Sequence, residues 1–403
     1  MIDLLAEGNA RCCGCGTCVI VCPVKAISLK PQELGCLYPF VDAEKCIDCH
    51  LCKQNCAFQI DRKPTTENQQ AFVAVATDKA MLRSSASGGI FAAVAKSFLE
   101  ADGMVCGCSM EMVNGKLTPM HVYVDRVKDL PKLQGSKYVQ SALGNVFLEI
   151  KSTLLQGKSV LFSGTPCQVD SLKHYVREID TSKLFTIDII CHGVPSSKLF
   201  QDYIDGLSSN RMVISFQFRD KTYGWGLNAK YSYVGKDGKE RTRILPPGLS
   251  SYYTYFLGAE IYRESCYSCK YANTVRVGDL TIGDFWGFEE EYPQRLAENG
   301  GAYRVYEGIS SVLVNNSKGA RFLSLYGRAL RKDEVDIQRM VRWNRQLREA
   351  SSCSDTRDSL VEAYEVRGYK GVEAIFRNKL GIRYYVRQVK SLLRKEIRIL
   401  TEA

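Results

Sequence analysis

Two runs of cysteines near the start of the chain carry the strongest chemical signal in the sequence. Both runs have the spacing C-x2-C-x2-C-x3-C. Bacterial ferredoxins use this spacing to hold 4Fe–4S clusters on four thiolates, and in two-cluster ferredoxins the last cysteine of each run binds the other cluster. The sequence therefore predicts two clusters, one on Cys12, Cys15, Cys18 and Cys56 and one on Cys46, Cys49, Cys52 and Cys22.

Zinc is the alternative metal for these cysteines, because zinc sites also use C-x2-C pairs. Zinc ligands usually form two pairs with a spacer, whereas each run here contains four cysteines, so iron–sulfur clusters are favoured. Pro23 follows the first run as in ferredoxins, but Ala57 follows the second run where proline is expected. Cys13 and Cys36 lie nearby and are interpreted as small apolar residues without a function.

A further set of cysteines lies in the body of the chain and is less specific by spacing alone. Two of them, Cys167 and Cys191, occur in turns of the same plan, "VLFSGTPCQVDSL" and "DIICHGVPSSKLF", and the other two, Cys266 and Cys269, form the pair in "CYSC". Four such thiols predict either a third cluster or a scatter of structural cysteines, and both alternatives stay open on these residues.

The two similar turns also suit an anionic ligand. Each passes from a predicted strand through glycine and proline into a helix, with Gly164 and Thr165 in one and Gly193 in the other. Free N–H groups at a helix start favour anions, and α/β proteins bind ligands at the carboxyl ends of strands. The alternative is that these are ordinary turns between strands and helices.

The elements that must position these residues alternate along the body of the chain. Strands are predicted in "AFVAVATD", "GMVCGCSM", "KSVLFSG" and "LFTIDIICHG", and helices in "SGGIFAAVAKSFLEA", in "PSSKLFQDYIDGL" and from Pro166 to Glu178. This alternation indicates an α/β core with parallel pairing. "SFQFRD", "AKYSYVG" and "RTRIL" predict an antiparallel portion, so the fold class is α/β with α+β features.

Length and composition set the domain plan. The 403 residues include 17 cysteines, and 45% of the chain is hydrophobic, which predicts a globular protein with two or three domains. We expect a two-cluster ferredoxin domain at 1–62, a mixed α/β domain at 63–345 and a helical segment at 346–403. The chain shows no signal region and no apolar stretch of about 20 residues, so a reducing cytoplasm is expected.

Positive charge is concentrated at the end of the chain. The net charge is +10, and residues 367–403 contain ten Lys or Arg against three Glu. This pattern argues against nucleic acid as a partner of the body. From Ile382 onward, apolar residues recur every three or four positions between basic ones, which predicts an amphipathic basic helix. Such a helix either contacts the inner face of a membrane from the periphery or packs on protein.

Several motifs together resemble a known family. In chain order they are "CCGCGTCVIVCP", "CIDCHLC", "SSASGG", "GSKYVQS", "SGTPCQ", "CHGVPS", "CYSCKYA" and "GDLTIGDFWG". This series is similar to the family of beta subunits of coenzyme F420 hydrogenase and dehydrogenase, in members with a fused N-terminal ferredoxin domain. The resemblance covers roughly residues 10–345. It implies FAD, iron–sulfur clusters and hydride exchange between the flavin and a deazaflavin coenzyme.

The resemblance also implies roles for individual residues. The four body cysteines become ligand candidates for a third 4Fe–4S cluster. Two further candidates come from the sequence itself: Asp284, in "GDLTIGDFWG", is a candidate cofactor contact, and His192, directly after Cys191, is a candidate proton donor. The flavin-region candidates are Ser87, Gly88, Gly89, Lys137 and Tyr138.

These observations together predict a flavin and iron–sulfur oxidoreductase. Its expected partners are a one-electron carrier, such as ferredoxin or a partner redox subunit, and a deazaflavin or another small-molecule substrate. The alternative is a non-catalytic electron-transfer or docking subunit of a larger redox or polysaccharide-assembly system.

Overall fold

The computed structural model describes residues 9–59, 68–209 and 211–386. Within these ranges the strands are β1 (Ile27–Pro31), β2 (Leu37–Val41), β3 (Gln70–Ala76), β4 (Met104–Val113), β5 (Lys116–Val124), β6 (Val160–Gly164), β7 (Leu184–Ile189), β8 (Val213–Gln217), β9 (Ala229–Val234), β10 (Glu240–Leu245), β11 (Leu280–Asp284), β12 (Ser310–Val314) and β13 (Leu330–Val335). The helices are α1 (Thr17–Ile20), α2 (Leu51–Gln54), α3 (Lys79–Ser84), α4 (Ile90–Glu100), α5 (Val146–Leu155), α6 (Pro166–Tyr175), α7 (Ser197–Leu207), α8 (Ser251–Leu257), α9 (Phe288–Glu291), α10 (Ser317–Tyr326), α11 (Ile337–Trp343), α12 (Thr356–Arg367) and α13 (Tyr369–Leu380).

A large mixed sheet organises the body of the protein, which confirms the predicted α/β core. Its strand order is β13-β3-β12-β11-β7-β6-β4-β5. The central strands β4, β6, β7 and β11 run parallel, and the pairs toward both edges are antiparallel. The first five residues of β7 are buried, as expected for a strand covered on both faces. The carboxyl ends of β6, β7 and β11 therefore meet at one edge of the sheet.

The helices that follow β6 and β7 begin for identifiable reasons. Pro166 is the first residue of α6, where its missing N–H costs nothing. The side chains of Thr165 and Gln168 cap the same end reciprocally. At α7 the hydroxyl of Ser196 accepts a hydrogen bond from the backbone N–H of Leu199. Both predicted turns between strand and helix are thus well defined in the structure.

A second, antiparallel sheet packs with aromatic residues in a separate core. It has the order β10-β9-β8, as the sequence predicts. Its core contains Phe218 and Tyr252, and α12 and α13 add Leu360, Tyr369 and Phe376 to the same cluster. The described part of 346–403 is therefore packed on the body. The predicted basic helix from Ile382 lies mostly outside the described residues.

The N-terminal region is ferredoxin-like, with the β1–β2 hairpin and the two short helices α1 and α2. Gly16 and His50 precede these helices in the left-handed conformation, at φ 75° and 57°. The predicted domain boundary at residue 62 lies outside the described residues. In the part of the chain that the structure describes, no helix has the length and apolarity needed to cross a bilayer.

Candidate functional site

The cysteines of the first predicted cluster lie together in the structure. We call Cys12, Cys15, Cys18 and Cys56 the first thiol site. Burial raises the pKa of the Cys18 thiol, and the neighbouring Cys15, Cys12 and Cys56 raise it further. The backbone N–H of Gly14 donates to Cys12 Sγ at 3.4 Å, and such bonds to sulfur are among the contacts that tune iron–sulfur sites. Cys56 reaches this group from the second cysteine run, as the crossed pairing predicts.

The second predicted set surrounds an open recess near the surface, and we call Cys22, Cys46, Cys49 and Cys52 the second thiol site. The recess has about 600 Å³ of empty space, including solvent at its mouth, and all four cysteines line it. Cys46 and Cys49 are exposed. The rim is apolar, since Ile47 is 61% exposed beside it. This site therefore faces outward, whereas Cys12 and Cys18 of the first site are largely enclosed.

The third set of cysteines also converges. Cys167, Cys191, Cys266 and Cys269, the third thiol site, line a recess with about 550 Å³ of empty space. Burial, and next the neighbouring Cys269, raise the pKa of the Cys191 thiol to about 12. Burial and Cys191 likewise raise the pKa of Cys266. The structure thus brings together all four residues that the family resemblance singled out.

The sheet explains how residues so far apart in sequence meet at the third thiol site. Cys167 lies in the first turn of α6 after β6, and Cys191 follows the adjacent parallel strand β7. The C-x2-C loop is held against β7 by Arg276, which is 3% exposed. Its Nη2 bonds Asp188 Oδ1 on β7 at 2.9 Å, and its Nη1 donates to the carbonyl of Tyr271 at 2.6 Å.

The donor sets fit iron–sulfur clusters. In the described ranges, no group of three or more His, Cys, Asp or Glu side chains is spaced to hold a single metal ion. A four-iron cluster differs, because its four thiolates bind four separate irons. Arg263 and Arg276, both buried, also line the recess at the third thiol site. Buried positive charge of this kind suits a group carrying several thiolates.

Three of the predicted cofactor residues belong to the third thiol site. Thr165 and Gly193 line its recess, and the Thr165 hydroxyl contacts Cys167 Sγ at 3.1 Å. Gly164 directly precedes Thr165. At Gly193, φ is 140°, and an added Cβ would lie 2.3 Å from the Tyr262 ring. Only glycine fits this close approach.

Other predicted cofactor residues meet around an arginine that the sequence analysis did not select. Arg219 Nη1 donates to Asp284 Oδ2 at 2.8 Å and to the Tyr138 hydroxyl at 2.9 Å. The rings of Trp225 and Trp286 stack beside it with centroids 4.7 Å apart. We call these five residues the arginine site. Within the described ranges, Arg219 Nη2 and Trp225 Nε1 are buried without a hydrogen-bond partner.

The predicted small-residue turn lies at the same edge of the sheet. The Ser87 hydroxyl donates to the carbonyl of Ile309, and the N–H of Gly88 donates to the Ser310 hydroxyl, both at 2.9 Å. Ser310 begins β12 and pairs in register with Asp284. Lys221 ties this turn to the arginine site region, because its ammonium donates to the Ser87 carbonyl at 2.6 Å. Burial, and next Arg219, lower the pKa of Lys221 to about 8.

The remaining predicted residues take separate positions. Gly89 precedes α4 with φ 79°, which is a structural role. Lys137 donates to the carbonyl of Gln134 at 2.7 Å, and burial lowers its pKa to about 8. His192 lines the recess of the third thiol site. Burial lowers the pKa of His192, and Asp284 is the carboxylate that opposes this shift, so His192 lies near both the third thiol site and Asp284 of the arginine site.

Residues that the sequence analysis missed are mostly arginines and lysines that fix loops. Arg219, Lys221, Arg263 and Arg276 have no local motif, and only their burial in the folded chain distinguishes them. Cys13 is visible in the sequence, where it is interpreted as a residue without a function. The structure places it in the recess of the third thiol site, together with Phe58.

Two regions of the chain match known families of proteins. Residues 157–339 match the family described as the C terminus of the beta subunit of coenzyme F420 hydrogenase/dehydrogenase, and residues 11–60 match a 4Fe-4S dicluster domain. The F subunit of the F(420)H(2) dehydrogenase of Methanosarcina mazei is 20% identical over 190 residues, which are 45% of this chain and 53% of that relative. The chain thus spans about half the length of this curated relative. A chain of the F420-reducing [NiFe] hydrogenase complex from Methanosarcina barkeri is similar with a TM-score of 0.44 and 17% identity, covering 71% of this chain and 93% of the other.

Proposed function

We propose that this chain, which belongs to the family of coenzyme F420 hydrogenase/dehydrogenase beta subunits, is an oxidoreductase with three 4Fe–4S clusters and a flavin. It passes electrons between a one-electron partner at the second thiol site and a hydride-type substrate at the arginine site. A deazaflavin is the first substrate class to test, because the related dehydrogenase is named for it.

The observation that carries this proposal is the succession of thiol sites. The outward-facing second site adjoins the first, since Cys52 is among the thiols that raise the pKa of Cys18. Cys13, next to the first site, lines the recess of the third. His192 lines that same recess and is close enough to Asp284 of the arginine site for the carboxylate to act on its pKa. This order supports a route from the protein surface to a buried reaction site.

The arginine site has the chemistry to hold a flavin or its substrate. The guanidinium of Arg219 is fixed by Asp284 and Tyr138, so its positive charge lies in a defined place beside two stacked indole rings. Arg219 Nη2 and Trp225 Nε1, the two buried donors without a partner among the described residues, suit a planar ligand rich in hydrogen-bond acceptors. A bound flavin would supply the link between two-electron hydride chemistry and one-electron clusters. His192, neutral because its pKa is lowered, would have to take up a proton near that ligand before it could act as the proton donor that the sequence predicts.

Cofactor analysis of anaerobically purified protein tests the proposal. We expect about twelve irons and twelve sulfides per chain, with four ligands for each of three clusters, and FAD released on denaturation. Arg219→Met should lose FAD and keep its iron, whereas the exposed Arg345→Met should keep both. Wild-type protein that contains no flavin and fails to take up added FAD would contradict the flavin proposal.

A second candidate is a non-catalytic electron-transfer subunit. The observation in its favour is that the curated relative is itself named as one subunit of a dehydrogenase, so the reaction site could belong to a different chain. Turnover separates the two. The isolated chain, supplied with reduced deazaflavin and a one-electron dye, should reduce the dye if it is an enzyme. Reduction that requires a partner protein would favour the non-catalytic role.

A further inference from the structure

Cys13 occupies a position that its sequence context does not reveal. It lies directly after Cys12, in a run whose other cysteines follow the ferredoxin spacing. In the structure its side chain is 7% exposed. Its side chain lines the recess of the third thiol site together with Cys167. It therefore belongs to the loop of the first thiol site and also faces the recess of the third.

The backbone around Cys13 is held firmly on the body of the protein. Gln140 Nε2 donates to the carbonyls of Cys13 and Gly14 at 3.0 and 3.3 Å, and Arg263 Nη1 donates to the carbonyl of Cys12 at 3.1 Å. Gly14 has φ 68°, and an added Cβ there would lie 2.4 Å from Arg263 Nη2. The contact between Cys13 and the body is thus a fixed feature of the loop.

Five thiols line or adjoin the third recess, although a 4Fe–4S cluster needs four. Cys269 raises the pKa of Cys191, and both of them raise the pKa of Cys266, so these three thiols lie close together. Cys13 and Cys167 both lie near Tyr271, whose hydroxyl donates to Asp170 Oδ2 at 2.7 Å. Of the five cysteines that line the recess, Cys13 is the one that belongs to the loop of the first thiol site, directly after Cys12.

We propose that Cys13 is the contact through which electrons pass between the first and third thiol sites, and that it is not a ligand of either cluster. The inference rests on the third cluster of the proposed function. In each transfer one electron leaves one cluster, which is oxidised, and enters the other, which is reduced. The Cys13 thiol keeps its proton and all its bonds. It shortens the non-bonded gap that the electron crosses between the first and third thiol sites.

The test compares Cys13→Ala and Cys13→Ser with Cys36→Ala in the full anaerobic holoprotein. Cys36 is a matched control, because it is 2% exposed in the same N-terminal region and does not line the third recess. Iron content is measured first. Reduced bacterial ferredoxin is then mixed with the protein, and freeze-quench EPR follows the reduction of each cluster. The signal of the third cluster is identified by its loss in Cys266→Ala.

For Cys13→Ala we expect unchanged iron, reduction of the N-terminal clusters at the wild-type rate, and reduction of the third cluster about tenfold slower, which equals about 1.4 kcal/mol in barrier. Cys13→Ser keeps the shape and the hydrogen-bonding capacity of the side chain, so its rate of third-cluster reduction should lie between those of Cys13→Ala and wild type. Cys36→Ala should match wild type. A wild-type rate in Cys13→Ala would overturn the proposal. Loss of about four irons in Cys13→Ala would overturn it too, by making Cys13 a ligand. Wild-type protein with about eight irons would instead refute the third cluster itself.

Discussion

Arg263 is the side chain whose removal should most clearly weaken the attachment of the N-terminal region. It is 1% exposed and donates three hydrogen bonds. Nη1 bonds the Cys12 carbonyl at 3.1 Å, Nη2 bonds the Leu37 carbonyl at 2.6 Å, and Nε bonds Gln140 Oε1 at 3.1 Å. Arg263→Met keeps much of the length of the side chain and removes every donor.

The expected loss of folding stability follows from the backbone carbonyls of Cys12 and Leu37, which lose their hydrogen-bond donor. A buried acceptor without its donor costs about 1–3 kcal/mol. The two backbone carbonyls together therefore give about 2–6 kcal/mol. Leu37 is 40% exposed, so water satisfies its carbonyl in part, and we expect the lower end of that range. A loss of about 2–3 kcal/mol should lower the urea midpoint by about 1 M, with a denaturant slope of about 2–3 kcal/mol per M.

Urea unfolding of the anaerobic holoprotein measures this effect, with the visible absorbance of the clusters reporting on the N-terminal region. Arg345→Met is the matched control, because Arg345 is an exposed arginine whose ion pair with Glu349 is also exposed. Such a pair contributes at most about 1 kcal/mol. If the midpoint of Arg263→Met equals that of Arg345→Met, the three hydrogen bonds do not hold the N-terminal region on the body.

Three further outcomes are expected. Gly193→Ala should lose the third cluster, which is about four irons, because the added Cβ would meet the Tyr262 ring. Gly206→Ala is the control, since Gly206 in α7 has open space around it, and it should keep all iron. Equal iron content in the two variants would refute the close approach at Gly193. Asp188→Asn should cost about 3–5 kcal/mol in urea unfolding, since it leaves the buried charge of Arg276 unpaired, and a change below 1 kcal/mol, roughly the value of a surface pair, would contradict this. Burial lowers the pKa of His121 to about 4, so its contribution to folding stability should be full above pH about 6.5 and fall by up to about 3 kcal/mol toward pH 4. His121→Gln should flatten this part of the pH profile of stability. An unchanged profile in that variant would assign the loss of stability at acid pH to other groups.

The sequence by itself determined the local features of this protein. Cysteines two residues apart place their thiols on one short loop, so the spacing of the two N-terminal runs predicts both cluster types and the crossed assignment of Cys22 and Cys56. Apolar periodicity and turn residues similarly located the strands and helices of the body. These signals are readable because each arises within a few neighbouring residues.

The tertiary structure alone decided that Arg219 and Cys13 share sites with residues distant from them in the sequence. Arg219 bonds Tyr138, 81 residues away, and Asp284, 65 residues away, and no motif links the three. The same holds for Cys13, whose neighbours in sequence indicate a ferredoxin loop but whose side chain lines a recess with Cys167. Sequence order carries no record of which strand ends meet at one edge of a sheet. Which strand ends meet depends on the strand order β11-β7-β6 and on the pairing of buried charges across the sheet, because an unpaired charge in the interior is too costly to retain.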